Sequence, residues 1–113
     1  MEYHHAYDLV RAIEGTETYQ ELETLYQKIA QDEAARSMLR DLRALEVGLE
    51  LKQLSGEALT REETEHYERM METVRLNPDI DRLLKLEQGL AQMYDDIQKI
   101  LAEPFNRLVH LLD

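Results

Sequence analysis

Residues Asn77 to Glu103 read NPDIDRLLKLEQGLAQMYDDIQKILAE. Asn77 is a good helix N-cap. Pro78 suits the first helical position, where its missing N–H has no partner to lose, and Asp79 sets an acid against the positive end of the helix dipole. From that start Leu83, Leu86, Leu90, Met93, Ile97 and Ile100 recur at alternating spacings of 3 and 4, the period of one helical face, and Tyr94 and Leu101 widen the stripe. At 1.5 Å per residue a helix from Pro78 to Glu103 is about 39 Å long. A globular chain of this size has a radius of gyration near ~13 Å. The helix therefore outruns a sphere, and an elongated bundle follows. Pro104 lacks an N–H and its ring meets the carbonyl four residues back. A kink is expected there, or a new short C-terminal helix with Phe105, Leu108, Val109 and Leu112 on its apolar side.

The rest of the chain reads as helix too. Asp32 caps a segment from Glu33 to Leu54, about 33 Å long, with Ala35, Met38, Leu39, Leu42, Leu45 and Leu49 on one stripe. Val47, Leu51 and Leu54 lie on a different side of it, and Gly56 suits a left-handed C-terminal turn. Ala6, Leu9, Val10 and Ile13 mark a first helix from Tyr3 to Glu14, with Gly15 expected to close it at positive φ. Thr16 or Thr18 caps the next, whose stripe is Leu22, Leu25, Tyr26 and Ile29. Thr60 and Glu63 form a capping box for a fourth helix reaching Leu76, with Tyr67, Met70, Met71 and Val74 inside. Nineteen Leu stand against nine Val and Ile together, which favours helix because unbranched side chains keep rotamer freedom there. There is no strand alternation, linker or repeat. The prediction is one all-α domain over residues 1–113: about five helices, two of them long, plus a short C-terminal helix.

Charge and composition narrow the function. Twenty-four acids against thirteen Lys and Arg give a net charge of −11, which repels phosphate backbones and argues against direct nucleic-acid binding. No cysteine is present, so disulfides, thiolate metal sites and cysteine nucleophiles are excluded, and a reducing cytoplasm fits. No run approaches the ~18 apolar residues of a membrane span, and no signal segment is visible.

Candidate chemistry is thin. Two Glu-x-x-His pairs occur, Glu2–His5 and Glu63–His66. That spacing serves carboxylate-bridged metal bundles only when two further Glu residues converge, and Glu63 already has a capping role. Arg36, Arg40 and Arg43 form one basic stripe. It could dock an acidic partner or phosphate, but Asp32, Glu33 and Glu46 stand at pairing distance along the helix. Gly48 and Gly89 sit mid-helix at about 1 kcal/mol each relative to Ala, through tolerance or close helix crossing. No phosphate-binding loop or nucleophile elbow is present. No catalytic, metal or cofactor residue is assigned, and no cofactor is expected.

Several features in order resemble the YlbF/YmcA family, and within it the YheA-like branch. They are Tyr7-Asp8-Leu9, then Leu25-Tyr26 with Asp32-Glu33 and Ala35, and Gln53 with Gly56. Asn77-Pro78 follows with Ile80 and Leu83, then Leu86-Glu87-Gln88, Ile97, Ile100 and Pro104. The likeness runs from Ala6 to Leu111, and order and spacing carry it rather than any one motif. It implies a small oligomeric all-α protein of the cytoplasm of Gram-positive bacteria. Members of two branches act as non-enzymatic accessory factors that assemble with another protein and influence a membrane-associated ribonuclease, competence, biofilm and sporulation. Some of those complexes hold iron–sulfur clusters on cysteines, which this chain lacks.

Residues and resemblance together predict a non-enzymatic adaptor. A large apolar side chain left wet rather than buried forgoes about 1.5 kcal/mol or more, so the second apolar side of the long helices calls for a partner. The candidate shared face is Val47, Leu51, Leu54, Leu83, Leu86, Leu90, Met93, Ile97 and Ile100. The expected partner is a second copy, as dimer or tetramer, and another protein as client. The rival readings are a small mutase-like enzyme with a pocket between helices, which needs converging basic side chains, and a purely structural oligomer.

Overall fold

A computed structural model describes Met1–Asp113 as five helices and no strand: α1 (His4–Glu14), α2 (Glu17–Gln31), α3 (Glu33–Leu54), α4 (Arg61–Val74) and α5 (Pro78–His110). The starts follow the local chemistry. Asn77 Oδ1 accepts from the Asp79 and Ile80 N–H groups at 3.0 and 3.2 Å. Asp32 accepts from the Ala35 N–H at 3.2 Å. Thr60 and Glu63 complete the capping box in both directions. Of the two threonines that could start α2, Thr16 does so, accepting from the Tyr19 N–H at 3.2 Å. Gly56 lies at φ +86 after α3, as its position requires, whereas Gly15 closes α1 in right-handed geometry at φ −80. Gly15 thus needs no glycine-specific conformation.

Pro104 does not divide the last helix. Its ring sits inside α5, a single helix of 33 residues, so the separate C-terminal helix expected from sequence is the outer part of α5. The missing N–H frees only the Ile100 carbonyl, and in this exposed stretch water can satisfy it.

Packing is confined to one region. Leu22, Leu25 and Ile29 of α2, Ala35, Leu39 and Leu42 of α3, Val74 of α4, and Ile80, Leu83 and Leu84 of α5 form the buried core. Met38, Tyr67, Met70, Met71, Leu86 and Leu90 pack around its edge. α2 lies on α5 and α3, α3 lies on α4, and α1 leans on α2. The buried residues of α5 all fall in its first two turns, and α1 buries none. The result is extended, 52 × 38 × 21 Å with a radius of gyration of 18.4 Å, against the ~13 Å of a globular chain of about this length.

Two features of this scaffold are directly testable. Nothing approaches within 4 Å of a Cβ built on Gly89 or Gly48, so tolerance rather than close crossing explains both within the chain. Gly89→Ala should raise stability in urea denaturation by about 0.5–1 kcal/mol; a loss would mean that another chain packs there. At the α3–α4 joint, Lys52 donates to the Glu63 carboxylate and the Thr60 N–H donates to the same oxygen at 2.9 Å. These bonds, Lys52 first, hold the Glu63 carboxyl at about 2, below its usual 4.5. A depressed carboxyl stabilises the fold above its unfolded value and loses that contribution as pH falls through the folded one. Thermal melts between about pH 4.5 and 2 should therefore show a steeper decline for the wild type than for Glu63→Gln.

Candidate functional site

The surface is more apolar than the core is large. On α3, Val47, Leu51 and Leu54 are 56%, 62% and 75% exposed, so the second side read from the sequence is present and uncovered. Ile100 is likewise exposed, Met93 and Ile97 are half-buried, and Leu86 and Leu90 pack at the rim of the core. Leu83 departs from the expectation. It is fully sealed between α2, α3 and α4 in the core, because the N-terminal end of α5 is the part that meets the other helices. It holds the fold together and cannot belong to a shared face.

Further apolar side chains outside that set are also uncovered. Tyr94, Leu101, Phe105, Leu108 and Val109 are exposed along outer α5 and Leu111 and Leu112 just after it, as are Tyr3, Tyr7, Leu9 and Val10 on and just before α1. The signal for the first group was the continuation of the α5 stripe past Pro104 at spacings of 4, 3 and 4 through Leu101, Phe105, Leu108 and Leu112. For Leu9 and Val10 it was the α1 stripe itself, which stays uncovered because α1 buries no residue.

Between the α1–α2 corner and the middle of α5 lies an open cleft of about 500 Å³. Ile13 and Tyr19 form one wall, Leu90, Ala91, Met93, Tyr94 and Ile97 the other, and Arg43 and Glu87 are its charged residues. The Glu87 carboxylate accepts from the Arg43 guanidinium and from the Tyr26 hydroxyl. Arg43 also donates to the Tyr26 hydroxyl at 3.1 Å and to Glu46 at 3.3 Å. Burial works against the Arg43 charge, but the bonds to Glu87 and Tyr26 outweigh it and raise its pKa. Burial, reinforced by Glu87, pushes the Tyr26 hydroxyl up. The cluster thus pins α2, α3 and α5 to one another, with its cation and anion neutralised.

The basic stripe is split accordingly. Arg43 turns to α5 and also makes the intrahelical pair with Glu46. Arg36 pairs with neither Asp32, which is engaged as the α3 cap, nor Glu33; it reaches the Ala30 carbonyl at 3.5 Å. Arg36 and Arg40 lie beside Ser37, Glu33 and Asp41 in a shallow polar depression. Of the Glu-x-x-His pairs, Glu63 is held by Lys52 and the capping box, and no three His, Asp or Glu side chains converge in a geometry that could hold a metal ion. No helix is long and apolar enough to cross a membrane.

Comparison with known proteins places these features in context. The family model described as "Control of competence regulator ComK, YlbF/YmcA" matches residues 3–106. A UPF0342 protein of Halothermothrix orenii is 36% identical over 96 residues, covering 85% of this chain and 81% of that protein. The UPF0342 protein YheA of Bacillus subtilis is 31% identical over 103 residues, covering 91% and 88%. A solved structure, a protein of unknown function (DUF964) from Bacillus stearothermophilus, superposes with a TM-score of 0.78 at 29% identity, covering 94% of this chain and 93% of that one.

The cleft's charged end yields its own test. In a double-mutant cycle of Arg43→Met and Glu87→Gln, followed by urea denaturation, the pair should show a coupling of about 0.5–1 kcal/mol, the range of partly exposed ion pairs. Additive single effects would mean that the two side chains do not hold each other.

Proposed function

The chain belongs to the YlbF/YmcA family, and we propose that it is a non-enzymatic helical adaptor of the cytoplasm, which works by binding its own kind and a client protein. The family's description, control of a competence regulator, sets the setting we propose for it: regulation of gene expression through a protein client rather than through nucleic acid. A net charge of −11 supports the second half of that statement, because such a chain repels a phosphate backbone.

The observation that carries the reading is the exposed apolar side of α3, Val47, Leu51 and Leu54, together with that of outer α5. Two separate apolar surfaces on one elongated chain suit a protein with two binding partners. Apolar anchors of this kind supply affinity, and the surrounding acids select among partners by charge. The rival mutase-like reading needs cations converging on an anionic substrate. Of the cleft residues only Arg43 is basic, and Glu87 already holds it, which favours the adaptor. We propose a dimer or tetramer as the working form.

Sedimentation equilibrium at micromolar concentration should give a multiple of 13.3 kDa; monomer alone would overturn self-association. Tagged wild type and a Leu51→Glu/Leu54→Glu variant of the same assembly state should then retain different proteins from a native lysate. Identical sets would leave the purely structural oligomer as the better account.

A further inference from the structure

Outer α5 poses a physical problem that the chain does not solve by itself. From Lys99 onward nearly every side chain is exposed, yet the segment is helical through His110 with Pro104 inside it. The arm continues a helix already nucleated in the core, but exposed turns gain little per residue in water and an interior proline costs about 3 kcal/mol. A free arm of this kind melts unless its apolar side is packed. Eight large apolar side chains line it from Tyr94 to Leu112, each about 60% exposed or more. Together they offer on the order of 800 Å², the share one partner gives to a standard interface.

We propose that α5 arms pair antiparallel between two copies, each arm tip closing the other copy's cleft. The inference rests on the self-association proposed above and adds its geometry. Three observations favour a second copy over a foreign helix. First, the stripe is symmetric about Leu101: Ile97 and Phe105 lie four residues to either side, Tyr94 and Leu108 seven, Leu90 and Leu112 eleven. Antiparallel pairing centred on Leu101 therefore sets Phe105, Leu108 and Leu112 level with the partner's cleft wall of Ile97, Tyr94 and Leu90. Second, one two-fold contact covers both clefts and both arms at once and then closes, whereas a foreign helix in the cleft would leave the arm wet. Third, residues 99–113 hold Lys99 and Arg107 against Glu103 and Asp113, net zero in a chain of −11. The arm therefore brings no net charge of its own to a meeting of two copies.

Because the chain has no cysteine, single substitutions report geometry cleanly. Near the two-fold point facing Cα atoms fall within the 4.4–6.8 Å that a disulfide spans. Leu101→Cys should cross-link to itself on mild oxidation into a covalent dimer, while Leu54→Cys on α3 should remain largely uncross-linked. As a second probe, Leu101→Glu/Phe105→Glu should weaken self-association at least 100-fold in sedimentation while circular dichroism keeps the signal of the core helices, since the α5 core residues lie far up the helix at Ile80, Leu83 and Leu84. A wild type that is oligomeric, with Leu101→Cys cross-linking no better than Leu54→Cys, would overturn arm pairing and leave self-association intact. A wild type that is only monomeric would overturn both.

Discussion

The structure depends on a mismatch of length: α5 is longer than the core it packs on. Its first two turns are locked by Ile80, Leu83 and Leu84 among α2, α3 and α4, and the remaining turns run past them with their apolar side uncovered. The extended shape, the open cleft and the exposed Tyr7 of α1 all follow from this. A helix that projects beyond its neighbours leaves the elements beside it with nothing to close against. Because the interior is small, the fold is also held by polar pins at its edges. The Arg43–Glu87–Tyr26 cluster ties α5 to α2 and α3, and Lys52 with Glu63 ties α3 to α4.

Much of this was legible in the residues because helix punctuation is local chemistry. Asn77-Pro78-Asp79 and Thr60 with Glu63 mark starts that need no tertiary information, and the stripe of Leu83 to Ile100 fixes the length of the helix that follows. Where the reading departs from the structure, the deciding factor was not local. Pro104 is a breaker by its own chemistry, and whether the helix runs on through it is decided by what packs the outer turns, which the local sequence does not show. Leu83 shares a stripe with Leu90 and Ile97, and periodicity cannot tell which part of a stripe meets the core. Arg36 has two carboxylates at helical spacing, yet Asp32 is engaged by the backbone of α3. Arg43 in turn finds a cross-helix partner, Glu87, that lies 44 residues away in sequence.

The functional reading joins the family assignment to surface physics. An acidic chain with one modest apolar face could remain a monomer, held in solution by its charge. This chain has two such faces on different helices, Val47 with Leu51 and Leu54 on α3 and the outer stripe of α5. Two faces give an adaptor its means of joining a copy of itself to something else. Outer α5 sums to zero charge and so does α3 taken whole, but Val47, Leu51 and Leu54 stand among Glu46, Glu50, Lys52 and Glu57, charges that discriminate between partners.

The account turns on whether a second chain holds outer α5 in its helical form. Backbone hydrogen exchange along α5 at high and at dilute protein concentration addresses that directly. The prediction is that amides beyond Lys99 are protected at high concentration and lose protection on dilution, while those between Arg82 and Leu86 keep theirs throughout. Outer amides that exchange freely at high concentration, or that stay equally protected in a chain sedimenting as a monomer, would contradict it.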